Sequence, residues 1–138
     1  MLAGDARLSY RTAVILDPGR SGRASLVVGR QDTAVALGSG SVAVLATPRL
    51  ISLCEEATLA ALDGGLPAGH TSVGVRVQFD HLAPVKVGSR VTAEAVLEKV
   101  EGRRLVFTVS ATDDAGLVGA GRVTRVVVDA EGFLAKAR

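Results

Sequence analysis

The sequence predicts an α+β fold in which an antiparallel sheet wraps around one long helix. Three observations point there. Leu50, Leu53, Cys54, Ala57 and Ala61 recur at helical spacing between a Thr-Pro start and an Asp-Gly-Gly stop. Further on, apolar and polar residues alternate at period two through several runs joined by short Gly-containing turns, the pattern of an antiparallel meander. Aromatic residues are only 3% of the chain and Trp is absent, so the core must come from Val, Leu, Ile and Ala, which suits a sheet packed on an Ala-rich helix.

At 138 residues the chain is long enough to bury most of its unfolded surface as one domain. A composition of 48% hydrophobic and 22% charged residues describes a folding chain rather than a disordered one. The domain is read as 1–138, with residues 1–21 as an N-terminal arm or an extra edge strand.

Leu8 to Leu16 reads as that edge strand, ended by the turn signal Asp17-Pro18-Gly19. Arg23 to Val28 is the next strand. Leu37 to Ser41, Leu-Gly-Ser-Gly-Ser, is a flexible loop. No Gly-Lys-Ser/Thr follows it, so it is not a phosphate-binding P-loop.

Thr47 is read as the helix N-cap and Pro48 as its first helical residue. At about 100° per residue, Thr47, Ile51, Glu55 and Thr58 flank one edge of the apolar stripe, and Glu56 falls on the other side. Glu55 is therefore expected half-buried and Glu56 solvated. Cys54 lies on the apolar side, where a free cysteine is usually a small hydrophobe; a single cysteine excludes an internal disulfide.

In Ser72 to His81 the odd positions are Val73, Val75, Val77, Phe79 and His81. Strict alternation sends them all toward the core and puts Gly74 on the face opposite His81. Three more strands follow: Arg90 to Val100, Leu105 to Asp113 and Leu117 to Val128. Hairpin turns at 101–103 and 113–116 join them. Val91, Ala93, Ala95 and Leu97 alternate with Thr92, Glu94 and Glu98, marking one dry and one wet face.

Sixteen basic against fourteen acidic residues leave a charge of +2, too mild to argue for nucleic acid; Arg20, Arg23 and Arg30 are scattered, without aromatics between them to stack bases. Ala13 to Leu16 is far too short for a signal peptide or a membrane span. A soluble cytoplasmic protein is the expectation, with no membrane or nucleic-acid partner, no cofactor and no metal.

The candidate chemistry lies in Thr47, Glu55 and His81. A hydroxyl at a helix start, a carboxylate two turns in and an imidazole at a strand end can together activate water or attack a carbonyl. Each has a plainer reading as well: Thr47 as a cap, Glu55 as a rim carboxylate in a salt bridge, His81 as a hydrogen-bonded strand end.

Ala46-Thr-Pro-Arg-Leu-Ile-Ser-Leu-Cys-Glu-Glu-Ala57, the run Gly74 to His81, Val100-Glu-Gly-Arg-Arg-Leu105 and Gly119-Ala-Gly-Arg-Val-Thr-Arg125 together resemble the hotdog-fold acyl-CoA thioesterases related to fluoroacetyl-CoA thioesterase. The spacings from Thr47 to Glu55 and from Gly74 to His81 fit that family without gaps, and the likeness runs from about Gly22 onward, which implies a hotdog core of about 22–130. It implies hydrolysis of an acyl-CoA thioester by Thr47, Glu55 and His81, at the interface of a homodimer or a dimer of dimers. Glu55 is then nucleophile or base, and the sequence leaves both open. Gly74 is a close backbone approach to the acyl group, or simply a bulge. Arg125 and Arg104 match basic positions that meet CoA phosphates, or are solvated strand arginines.

An apolar acyl pocket lined by Val42, Leu45 and Phe79, with small residues at its mouth, suits short to medium acyl groups. Gly38 to Leu45 carries no aromatic residue to act as the lid of the fluoroacetyl-specific enzyme, so fluoroacetyl selectivity is not expected. The alternative is a non-catalytic hotdog module that binds acyl-CoA or a related ligand.

Overall fold

A computed structural model describes residues 16–138. Five strands form one antiparallel sheet: β1 (Ser21–Val27), β2 (His70–His81), β3 (Arg90–Glu101), β4 (Arg104–Asp113) and β5 (Gly116–Asp129). Their order across the sheet is β1-β3-β4-β5-β2, so β1 and β2 are the edges among the described residues. Three helices accompany the sheet: α1 (Ala34–Leu37), α2 (Thr47–Ala61) and α3 (Ala130–Ala135), with a 3-10 turn at Arg30–Asp32 before α1.

Helix α2 forms where the apolar stripe predicts it, and Leu50, Leu53, Cys54, Ala57 and Ala61 are all buried. It packs chiefly on β1 and β3 and less on β4 and β2. The contact with β1 is close: a β-carbon on Gly22 would strike backbone atoms of Ala57 and Ala61. Val91, Ala93, Ala95 and Leu97 of β3 and Leu105, Phe107, Val109 and Ala111 of β4 supply the sheet's side of the core. The two hairpin turns sit where expected, with Gly102 and Gly116 at the positive φ that the turns require.

The strand expected over Leu8 to Leu16 falls on residues outside the described ones, Leu16 excepted, which is buried in the core. The turn at Pro18-Gly19 is present and feeds β1, with the Gly19 N–H donating to the Leu97 carbonyl at 2.8 Å. The loop expected over Leu37 to Ser41 is partly helical. Thr33 caps α1 by accepting from the Ala36 N–H at 3.2 Å, and only after Gly38 does the chain become loop.

One expectation fails in β2. Its register with β5 shifts between Gly74 and Arg76, leaving Val75 as a bulge. Before the bulge Ser72 and Gly74 pair with Val127 and Arg125. After it Val77, Phe79 and His81 pair with Val123, Gly121 and Gly119. Those β5 residues are an even number apart, so all five β2 positions share the helix-facing side. Gly74 and His81 therefore lie on the same face, and Val73 and Val75 do not point into the core with His81. Because α2 covers β2 only thinly, Val75 and Val77 stay 51% and 38% exposed on this edge strand. No helix among the described residues is long and apolar enough to cross a membrane.

Candidate active site

The bulge matters because it brings both ends of β2 to bear on α2, one at the helix start and one two turns further on. At the start, Thr47 Oγ1 lies 2.7 Å from His81 Nδ1. Thr47 is not the N-cap, contrary to the sequence reading. The cap is Ala46, buried and without a side-chain cap bond, while Thr47 is already helical. The Ala46 N–H donates to the Asp32 carbonyl at 2.9 Å, which fixes the chain's entry into the helix and leaves the Thr47 hydroxyl to His81.

With Nδ1 engaged, the second ring nitrogen of His81, Nε2, is buried and has no hydrogen-bond partner among the described residues. Thr47 and His81 line an open cavity of about 320 Å³ together with Ala34, Ser39, Leu45 and Pro84. Of the residues expected to form an apolar pocket, Leu45 lines this cavity. Val42 and Phe79 do not: Val42 is exposed, and Phe79 packs half-buried against the core with its ring beside Gly119.

Two turns along α2, Glu55 is half-buried on the edge of the stripe, as expected, and its Oε2 is 3.4 Å from Arg125 Nη1. Arg125 is 6% exposed. Its Nε donates to the Ser72 hydroxyl at 2.8 Å and its Nη2 to the Ser72 carbonyl at 2.9 Å. The guanidinium is thus held by three contacts within the protein. Burial lowers its pKa, and the charge of Glu55 opposes that shift. Gly74 completes the cluster, since a β-carbon there would collide with the Glu55 carboxylate. Arg104 is not part of it. It pairs with Val126, one residue out of phase with Arg125, and so lies exposed on the other face of the sheet.

The cavity end therefore holds Thr47 and His81, and the other end holds Glu55, Arg125, Gly74 and Ser72. Glu55 bonds to Arg125 rather than to Thr47 or His81. Eight residues of helix separate Thr47 from Glu55, about 12 Å along the axis. Glu56, by contrast, is on the outer side as expected, paired with Arg49 at 3.1 Å. Ser72 escaped the sequence reading. Its signal was its place two residues before Gly74 on the same strand face, which puts a hydroxyl in line with the arginine's side of the cluster.

Comparison with known proteins gives a consistent result. A family model described as fluoroacetyl-CoA-specific thioesterase, FlK, matches residues 28–131. Fluoroacetyl-CoA thioesterase from Streptantibioticus cattleyicolor is 39% identical over 95 residues, which span 69% of this chain and 68% of that relative. A solved structure of a mutant fluoroacetyl-CoA-specific thioesterase with fluoroacetate and CoA has a TM-score of 0.80 at 32% identity, covering 86% of this chain and 99% of that one. A hot-dog-like protein from Thermanaerovibrio acidaminovorans has a TM-score of 0.80 at 29% identity, covering 88% and 90%.

Proposed function

Because this chain belongs to the fluoroacetyl-CoA-specific thioesterase family and is a hotdog-fold thioesterase acting on acyl-CoA, we propose that it hydrolyses short to medium acyl-CoAs with Thr47, Glu55 and His81. The observation that carries this reading is the Thr47–His81 pair, 2.7 Å apart on the wall of a cavity, with one imidazole nitrogen left free. An imidazole can accept a proton at one ring nitrogen while the other is held by a hydrogen bond. Thr47 holds Nδ1 and so orients the ring, while Nε2 handles the proton. Glu55, held by Arg125 beside the open backbone of Gly74, supplies the carboxylate that attacks the thioester carbon or activates water toward it. Where Glu55 activates water, water adds to the acyl carbon, the C–S bond breaks, and the proton taken from water returns to the departing thiolate. Where Glu55 attacks, the C–S bond breaks as an anhydride forms on the carboxylate, the thiolate leaves with a proton, and water then cleaves the anhydride to release the acid and regenerate Glu55. Backbone N–H groups at the start of α2 or at Gly74 stabilise the developing oxyanion.

The separation of the two clusters supports a homodimeric site. Among the described residues β2 is an edge strand with Val75 and Val77 exposed, the kind of edge that a second copy covers across a two-fold axis. Pairing of β2 with its own copy, centred near Val77 and Gln78, sets His81 of one subunit beside Gly74 of the partner subunit. Each site then joins Thr47 and His81 of one copy to Glu55 of the partner subunit. The cavity wall of Ala34, Ser39 and Leu45 has no aromatic side chain, which suits tolerance among small acyl groups rather than selection for fluoroacetyl. We place the protein in the cytoplasm as a single domain with a core of about 22–130.

Thiol release from acetyl-, fluoroacetyl-, butyryl- and octanoyl-CoA tests the substrate reading. The expected result is hydrolysis of acetyl- and butyryl-CoA at comparable kcat/KM. A strong preference for fluoroacetyl-CoA over acetyl-CoA would overturn the stated range. Light scattering at micromolar concentration should give a dimer or a dimer of dimers, and a stable monomer would remove the shared site.

A further inference from the structure

Asp32 is a carboxylate that the chemistry above does not use, yet it is 4% exposed. Both of its oxygens are occupied. Oδ2 accepts from the Gly29 N–H at 2.8 Å, and Oδ1 accepts from Arg49 Nε at 3.0 Å. Its backbone is engaged too: its N–H donates to the Gly29 carbonyl at 3.0 Å, and its own carbonyl accepts from Ala46, the residue just before Thr47. One residue thus ties the 29–33 segment to the first turn of α2 through both its side chain and its main chain.

That tie has a consequence at the cavity. The segment continues into Thr33, which bridges to Leu45, and Ala34, whose N–H donates to the Val44 carbonyl at 2.9 Å. Ala34 and Ser39 line the same cavity as Thr47 and His81. An ion pair with one buried partner and one partly exposed partner gains little stability, because desolvation offsets much of the attraction. It does fix a geometry, since each carboxylate oxygen accepts from one donor in one direction. The anion also offsets the unfavourable placement of the Arg49 cation in the first turn of a helix.

We infer that Asp32, acting through Arg49 and Ala46, is a positioning residue that sets Thr47 against His81 and holds the cavity wall over the pair. This rests on the reading of Thr47 and His81 as reacting groups, and the test separates the two. The 138-residue chain, labelled with ¹⁵N-histidine, contains two histidines, His70 and His81. His70 contacts the Ala68 carbonyl far along β2 and serves as an internal reference. In Asp32→Asn the Nδ1 resonance of His81 should move while that of His70 stays in place. In kinetics with acetyl-CoA, kcat should fall at least about tenfold, as for a small misplacement of reacting groups, with KM changed less than kcat. Arg49→Met, which leaves the Gly29 contact intact, should move the same resonance in the same direction. Arg49→Lys, which keeps a cation beside the carboxylate, should restore most of the wild-type position and rate.

An unmoved His81 resonance in both Asp32→Asn and Arg49→Met overturns the inference, as does a moved resonance with unchanged kcat. If Asp32→Asn does not fold, Arg49→Met alone decides. A wild-type chain that leaves acetyl-CoA and the other acyl-CoAs intact would instead overturn the functional reading, and the resonances would still report on positioning.

Discussion

Gly74 and Glu55 face each other so closely that any side chain at position 74 would strike the Glu55 carboxylate. The colliding atom is the end of a flexible side chain, so the backbone need not move. Glu55 would instead swing away and lengthen or lose its 3.4 Å contact with Arg125. Gly74→Ala should therefore fold with a nearly unchanged melting temperature while losing activity by about tenfold or more, as expected for a misplaced reacting group. Steady-state kinetics beside a thermal melt make the comparison. Wild-type kcat in a folded Gly74→Ala would show that Glu55 need not stay where it is.

His81→Ala and Glu55→Gln should each lower kcat by about 10²–10⁴-fold, the usual range for loss of acid–base assistance. Thr47→Ala should cost less, because the hydroxyl orients the imidazole and does not carry the proton. It should also leave the melting temperature unchanged. The N-cap is Ala46, so no capping bond is lost and the penalty of roughly 1 kcal/mol that a Thr cap would carry does not arise. Glu56→Gln, on the outer side of α2, is the control and should be nearly silent in kcat. Full activity in both His81→Ala and Glu55→Gln would make the constellation structural.

The helix stripe, the three C-terminal strands and both hairpins were legible because each is a local pattern with one dominant period. The bulge beside Gly74 was legible only as one alternative for that glycine, and its effect was not, because strict period-two alternation allows no extra residue and a single insertion exchanges the faces of everything before it. The pair Gly74-Val75 is a weak local cue at best. Thr47 was misread as a cap for a different reason. Thr-Pro is a good helix opening in isolation, and what moved the cap to Ala46 was a contact from Asp32, far enough away in sequence to leave no local trace. The separation of Thr47 from Glu55 was readable from helix geometry alone, since eight residues of helix cannot close on one carbon.

Cys54 ties stability to pH. Burial, with a smaller contribution from the charge of Glu55, pushes its thiol from 9.0 to about 12. Between those values the folded state keeps a proton that the unfolded state has released. The unfolded state binds fewer protons there, so unfolding free energy falls as pH rises, by up to about 1.4 kcal/mol per unit for one such group. The contribution is fully present below pH 9 and is lost toward 12. Urea unfolding of wild type and Cys54→Ala at pH 8, 9 and 10 should show a steeper decline in the wild type. Parallel declines would mean that the thiol ionises equally well in the folded protein.

Subunit mixing decides how Glu55 reaches His81. In one chain, Glu55 is committed to Arg125, and Thr47 lies about 12 Å back along the helix. If each site joins His81 of one copy to Glu55 of the partner subunit, a dimer of one His81→Ala chain and one Glu55→Gln chain has a site carrying both defects and a site carrying neither. Random exchange between the two inactive homodimers makes half of all dimers mixed, and half the sites in those are intact. Activity should then recover to about a quarter of wild type for a two-fold dimer with independent sites. If His81 and Glu55 of the same chain cooperate, every site in the mixture keeps one defect and nothing is regained. The two arrangements differ by orders of magnitude in the same assay, because each parent variant alone should fall by about 10²-fold or more. Recovery with time after mixing, at the rate of subunit exchange measured by fluorescence energy transfer, would assign the carboxylate to the partner subunit. A flat trace after complete exchange would return it to the same chain and require α2 and β2 to rearrange when substrate binds.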